Sequence, residues 1–378
     1  MSKRGNGEGG IYQRKSDGKW CAALLLPDGK KRVLYGRTRA EAKDKLHTAQ
    51  EDVKQARPVA ANRETLAAFL DRWLKGAAAK RVRATTLRRY EMDVRLHIVP
   101  ALGKLKLPDV TPKAVQAMLD GLSAKGLAPL SVRNVRAALR VALEQAIRER
   151  LFGINNAKSV DLPRAARKRV VALTPDAARA ILSAFNGHPY EALVTLALAT
   201  GLRQGELLGL RWEDIDLEAG TARVDGQLQR IGGAYTLTDL KTNQSRRTLP
   251  LPAVAVEAIR RQRVRQAEAR LYAGPAWREP LPGLMFTTAT GTPLHSTTVT
   301  HLYQKQLACA GLPRMTFHEL RHGSASLLLA QGATMRTVME ALGHSQISLT
   351  MNTYSHVLPA LQREAANKME AVLAISSN

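Results

Sequence analysis

The stretch LSVRNVRAALRVALEQAIRER, residues 130–150, constrains the fold more than any other part of the chain. Val132, Val135, Leu139, Ala142, Leu143 and Ile147 recur three and four residues apart, and Arg133, Arg136 and Arg140 fall toward the other side. That is the spacing of one helix face. A strand, whose faces alternate every two residues, cannot gather those side chains on one side. The pattern returns at Leu66, Phe69, Leu70, Trp73 and Leu74, and most of 174–378 reads the same way. A helix is expected to start in ATTLRRYEMD with Thr85 or Thr86 as its N-cap. The apolar stripes are core positions. The basic faces between them make the helices of 63–160 candidates for a clamp on a polyanion.

Two stretches break the helical pattern. GGIYQRKSDGKWCAALLLPDGKKRVLYG carries two Asp-Gly turn signals, Asp17-Gly18 and Asp28-Gly29, between runs rich in β-branched and aromatic residues. Three short strands near 10–14, 19–26 and 31–36 follow from this. Thr38 with Glu41 three residues on is a capping-box pattern for the next helix. Basic residues Arg14, Lys15, Lys19, Lys30, Lys31 and Arg32 stud these strands, as suits a small sheet entering a DNA groove. The second break, 221–251, is rich in strand formers within the last block. Segments 55–64 and 162–175 read as linkers, with Thr174-Pro175 opening a helix after the second. The expected fold is α+β and mainly helical. It places a small three-stranded sheet plus helix at 1–57, a helical domain at 63–160, and a mainly-α domain with a short antiparallel sheet at 170–378.

Charge narrows the function. The chain of 378 residues holds 57 Lys and Arg against 32 Asp and Glu, a net charge of +25. The excess is spread, at +7 for 1–57, +11 for 63–160 and +7 for 161–378, so no single basic tail explains it. Three basic blocks on one chain fit a long nucleic acid. Cys21 and Cys309 form no disulfide or metal-ligand spacing. There is no signal peptide and no apolar run of membrane-spanning length, so a cytoplasmic location without membrane contact is expected.

Three punctuated motifs in the last block carry candidate chemistry. In ATGLRQGELLGLRWEDID, Arg203 follows a helix-closing glycine and precedes Glu206 by three residues, close enough for an ion pair. In FHELRHGSASLLLAQGA, His318 and Arg321 project to one side, with Leu320, Leu327 and Leu328 available for packing. A zinc reading of His318 and His322 lacks both the glutamate of a metalloprotease pair and an evident third ligand. In LGHSQISLTMNTYSHV, His344 precedes Tyr354 by ten residues, and Arg321 precedes His344 by 23. Arginine suits phosphoryl oxygens because its planar fork stays protonated.

The series GLRxGE, HxLRH, LGHS and TxxTYSH, in this order and with these gaps, resembles the active site of the tyrosine recombinase (phage integrase) family. TTLRRYEMDVRLHIVPALG is similar to the start of that family's helical core-binding domain, and 1–57 to its arm-type DNA-binding module. The resemblance covers essentially the whole chain, strongest over 200–357 and weakest over 1–57. It implies that Arg203 and Arg321 hold the scissile phosphate. His318 would accept the tyrosine proton, His344 would bond the phosphate where some relatives place Trp, and Tyr354 would be the nucleophile. Lys241, in LKTNQSRRTLPLP, fits the family's hairpin lysine that protonates the departing 5′ oxygen, while Arg246 and Arg247 beside it would touch DNA backbone. Glu206 matches a structural acidic position. No departure suggests an inactive enzyme.

The implied activity is site-specific cleavage and rejoining of double-stranded DNA through a 3′-phosphotyrosine, integrating or excising a phage or mobile element. It needs no metal and no cofactor. The implied partners are core-type and arm-type DNA sites and a homo-tetramer on synapsed DNA, with a DNA-bending host factor and an excisionase as further candidates, in the nucleoid of a bacterial host. The helix PALQREAANKMEAVL after Tyr354 would pack on a neighbouring subunit or on its own domain. Rival readings are a type IB topoisomerase, an Xer-type resolvase lacking the N-terminal sheet, and a DNA-binding regulator that never cleaves.

Overall fold

The computed structural model describes residues 10–25, 31–54, 64–151, 153–164, 173–240, 246–343 and, near the end, 366, 369, 370 and 373. The chain divides into two compact units, Met1–Arg167 and Lys168–Asn378. It is mainly helical, with small antiparallel sheets.

The first unit opens with strands β1 (Gly10–Gln13), β2 (Trp20–Leu25) and β3 (Lys31–Gly36), antiparallel in the order β1-β2-β3. The Asp17-Gly18 turn forms with Gly18 at φ +67°, and Arg14 clamps Asp17 across it. The Asp28-Gly29 turn lies outside the described residues. Helix α1 (Arg39–Lys54) packs Ala42, Leu46 and Ala49 against Ala22 and Leu24 of the sheet, while Tyr12 and Tyr35 stay exposed. Thr38 caps α1 through the Glu41 N–H (3.2 Å). The expected reciprocal bond is shifted by one residue, because the Glu41 carboxylate takes the Arg37 N–H (2.7 Å) instead of that of Thr38.

A separate apolar cluster holds the helices of 64–164. Helix α2 (Leu66–Trp73) runs through a π-helical turn, Leu74–Ala78, into α3 (Ala79–Arg81). Helix α4 (Ala84–Asp93) likewise runs through Val94–Ile98 into α5 (Val99–Leu102). The second widened turn precedes Pro100, whose ring clashes with the carbonyl four residues back and which has no N–H to donate. The expected cap at Thr85 or Thr86 is corrected here. Arg83 is the N-cap of α4, with extended backbone and no capping side chain, and both threonines lie within the first turn. The helix starts where the chain leaves extended Val82 and Arg83, with Leu87 N–H bonding Arg83 O, so backbone direction outweighs threonine's capping preference. Helices α6 (Pro112–Ala124) and α7 (Pro129–Arg148) complete the cluster. On α7 the buried stripe is Val132, Val135, Ala138, Leu139, Ala142, Leu143 and Ala146, with Ile147 half-buried. Arg133 and Arg140 are exposed as expected, but Arg136 is half-buried. Of the segments 55–64 and 162–175 read as linkers, residues 55–63 and 165–172 lie outside the described residues.

The second unit starts as read, with Thr174 accepting the Ala177 N–H at the head of α8 (Pro175–Ala184). Helix α9 (Glu191–Thr200) is buried on nearly every side and forms the axis of the main core. Its one acidic side chain, Glu191, is held at 2.6 Å by Arg261, with Arg265 beside it. After α10 (Gln204–Leu208) come β4 (Ile215–Asp216), β5 (Thr221–Val224), the hairpin β6 (Gly226–Ile231) and β7 (Ala234–Asp239), and β8 (Arg247–Pro250). Strands pair in the orders β4-β5-β8 and β6-β7. Helices α11 (Ala253–Ala273), α12 (Ser296–Cys309), α13 (Phe317–Ala330) and α14 (Met335–Leu342) follow. Among the described residues no helix is long and apolar enough to cross a membrane.

Candidate active site

Arg203 does not sit within a helix, as its spacing to Glu206 suggested, but at the mouth of one. Helix α9 ends at Gly201, in the left-handed conformation at φ +62°, and Arg203 then serves as extended N-cap of α10. Glu206 at the third helical position bonds the Arg203 N–H through Oε2 (3.0 Å) and its guanidinium through Oε1 (2.6 Å). This is no exposed surface pair, since Glu206 is 1% exposed. Burial alone would raise its pKa, but the Arg247 and Arg203 guanidinium groups outweigh that and hold the carboxylate below its ordinary range.

Arg247 comes from β8, where Leu249, two residues on, also faces inward. Its side chain is 8% exposed and reaches Glu206 Oε2 at 3.1 Å. The sequence reading placed it on DNA backbone; the fold instead buries it against a carboxylate. Strand alternation carried the signal, because Arg246 and Thr248 point out while Arg247 and Leu249 point in.

Arg321 and His318 stand on the first turns of α13, whose capping box joins Thr316 and Glu319. Arg321 is 3% exposed. Its Nη1 donates to Gly201 O (2.7 Å) and its Nη2 to Leu342 O (2.8 Å), which fixes the guanidinium plane. His318 is exposed. Partial burial of its ring, and then the charges of Arg321 and Arg203, push its pKa below the ordinary value. It is therefore neutral at pH 7 and able to accept a proton. His322 packs edge-on to it, ring centres 5.1 Å apart, and burial, then His318 and Arg321, push its pKa down as well.

The end of α14 ties the arginines together. Its last carbonyls, which have no partner within the helix, are taken one by one. Arg247 Nε bonds Ala341 O (2.9 Å), Arg321 Nη2 bonds Leu342 O (2.8 Å) and Arg203 Nη2 bonds Gly343 O (3.3 Å). The negative pole of a helix thus offsets part of the repulsion among three cations. Glu206 pairs with Arg203 and Arg247, while Arg321 is held by the backbone carbonyls of Gly201 and Leu342, so the cluster keeps a positive excess suited to a phosphate. Arg203, with 39% of its side chain exposed, presents that charge to solvent. Arg203, His318 and Arg321 are thus brought together. Lys241, His344 and Tyr354 lie outside the described residues, and His344 follows directly on Gly343 in the chain.

Comparison with known proteins decides the family. The model of the phage integrase family matches residues 172–360, and that of the phage integrase N-terminal SAM-like domain matches 65–123. An integrase of Streptomyces ambofaciens is 31% identical over 96% of both chains. This chain belongs to the phage integrase family. A tyrosine recombinase XerC-like protein of Caldanaerobacter subterraneus subsp. tengcongensis is 29% identical, covering 90% of this chain and 91% of its own. Among solved structures, the Tn1549 transposon integrase bound to transposon right-end DNA superposes with a TM-score of 0.69 at 22% identity, covering 82% of this chain and all of that one. A lambda integrase tetramer bound to a Holliday junction does so at 0.57 and 24%, covering 93% and 96%. These likenesses establish the integrase fold, and family membership makes the chain a tyrosine recombinase that cleaves and rejoins DNA.

Proposed function

We propose that the chain is a mobile-element integrase whose reaction runs at the cluster of Arg203, His318 and Arg321, completed by Lys241, His344 and Tyr354. The observation that carries the reading is the convergence of two oriented arginines and a neutral histidine around an excess of positive charge. Such a cluster stabilises charge that develops on a phosphodiester in its transition state.

In this reading Tyr354 attacks phosphorus as His318 takes the phenolic proton. The P–O5′ bond breaks, Lys241 gives its proton to the departing 5′ oxygen, and a 3′-phosphotyrosyl ester remains. A 5′ hydroxyl from a second duplex reverses the step, so the ester conserves the bond and no external energy source is needed. Arg203, Arg321 and His344 hold the non-bridging oxygens. Loss of one arginine should slow cleavage by roughly 10²–10³, by analogy with loss of an oxyanion donor.

Residues 1–57 would read arm-type sites, 63–160 core-type sites, and 170–378 would carry the chemistry on double-stranded DNA. The relatives bound to DNA, and the lambda tetramer on a Holliday junction, support a tetramer on synapsed sites. A DNA-bending host factor and an excisionase would act through the arm-type contacts, at the nucleoid of a bacterial cytoplasm.

The test is Tyr354→Phe with a nicked suicide duplex cut from the junction DNA flanking the coding gene. The variant should bind the duplex but give no gel-stable covalent band. A band that persists would refute the assignment of the nucleophile.

A further inference from the structure

The reading of Arg203 and Arg321 as phosphate ligands leaves Arg247 without a task. It lies almost wholly inside the protein, so it does not reach the DNA backbone from where it stands. A buried ion pair is also a weak device for stability, since apolar residues of similar volume often serve as well.

The geometry points to a different task. We propose that Arg247 is a positioning residue of the recombination site, one that sets the placement of Arg203 and of Gly343 at the end of α14. This rests on the function proposed above. The bonds form a closed circuit. Arg247 Nη2 holds Glu206 Oε2, and Glu206 Oε1 holds Arg203 Nη1. Arg203 Nη2 holds Gly343 O, and Ala341 O, two residues back, returns to Arg247 Nε. Three elements, β8, α10 and the end of α14, are locked together by these bonds. Loosening any one of them frees the orientation of Arg203.

Two features require arginine at this point. Its Nε and Nη2 engage acceptors on separate elements, which a lysine ammonium can match in charge but not in planar geometry. It also packs flush beneath Gly343. A Cβ built on Gly343 would lie 2.8 Å from Arg247 Nη1, and the residue sits at φ +65°. Gly343, which this contact fits against Arg247, directly precedes in sequence His344, a proposed phosphate ligand. Glu206 is faced by two cations, Arg203 from the start of its own helix and Arg247 from β8.

The experiment uses the full chain with Arg247→Lys and Arg247→Gln, and the same nicked junction duplex for cleavage and for binding. Single-turnover adduct formation should fall about 10–100-fold, the scale expected when a reacting group is misplaced by an ångström or less. Affinity for the duplex should stay within about threefold, since the phosphate contacts that dominate DNA binding are untouched. A purely structural role would leave the rate–pH profile alone. Arg247→Gln, by contrast, removes one of the two cations holding Glu206 ionised, so its cleavage rate should gain an acid limb at higher pH than in the parent. Adding Glu206→Gln should erase that limb, and Arg247→Lys should keep the parent profile while remaining slow. If Arg247→Gln does not fold, the Lys variant decides: adduct formation down about 10–100-fold with duplex affinity within about threefold and an unchanged urea midpoint supports the proposal, and a rate that falls only in step with affinity or with the midpoint overturns it. Parent-like rates in either folded variant, beside a parent that forms adduct, would overturn the role of Arg247 alone. A parent that forms no adduct on this duplex would remove the proposed function and this inference together.

Discussion

Gly201→Ala tests how the site is built, because two separable costs meet at one atom. Gly201 closes α9 at φ +62°, where a residue with a Cβ is disfavoured by about 1–2 kcal/mol. The added Cβ would lie 2.5 Å from Leu342 Cδ2 and 3.2 Å from Ser324 Oγ. Leu342 is fully buried with Ala325, Leu329 and Val338, so its methyl has no room to yield, and overpacking of this kind costs about 1–3 kcal/mol more. Together they predict a loss of about 2–5 kcal/mol in the second unit. At about 2 kcal/mol per molar urea this lowers the midpoint by about 1–2.5 M. Tryptophan fluorescence in a Trp20→Phe, Trp73→Phe background leaves Trp212 and Trp277 to report that unit. Gly220→Ala is the control. It shares a positive φ of +64°, but its added Cβ meets only Leu251 O at 3.7 Å, so it should lose the conformational part alone. Covalent-adduct formation should fall further than stability explains, because Gly201 O is the acceptor that orients Arg321. Equal midpoints for the two variants would refute the packing argument, and a Gly201→Ala protein as active as the parent would refute the orienting role of that carbonyl.

Two other outcomes are expected. His188, His318 and His322 all have folded pKa values pushed below the ordinary one, His188 by burial and then Arg265. The unfolded chain therefore binds more protons below about pH 6.5, and stability present above that value is lost as pH falls through the folded pKa values. The urea midpoint of the second unit should drop between about pH 7.5 and 5.5, and a flat midpoint would count against the neutral-histidine assignment. Deletion of residues 1–57 should flatten the salt dependence of binding to DNA that carries arm-type sites, by a slope of about 0.9 for each phosphate left without a neutralising cation; an unchanged slope would argue against arm binding.

Much of the fold was legible because local chemistry and tertiary packing agree there. The 130–150 stripe became the buried face of α7, the Thr174 cap formed where read, and the strand-rich stretch 221–251 formed strands, joined by the short Ile215–Asp216 strand just before it. Departures arose where a local preference met a longer-range demand. Thr85 and Thr86 lost the cap of α4 to Arg83 because the chain enters that helix two residues earlier. Glu41 took the N–H of Arg37 rather than that of Thr38. The pairing of Arg203 with Glu206 was visible as a three-residue spacing, but it is made from a cap, and its carboxylate is shared with an arginine 41 residues away.

By itself the sequence determined that the chain is mainly helical, that it faces a polyanion, and which ordered series of residues marks it as a recombinase. Those properties depend on spacing and residue type, which survive without coordinates. Tertiary structure alone decided that Glu206 is buried between two arginines, that Arg247 points inward, and that three carbonyls at the end of α14 each receive a different guanidinium. The physical reason is that a backbone carbonyl carries no residue identity. Which carbonyls are left without helical partners, and which side chains reach them, is settled only when α9, α10, α13, α14 and β8 are packed together.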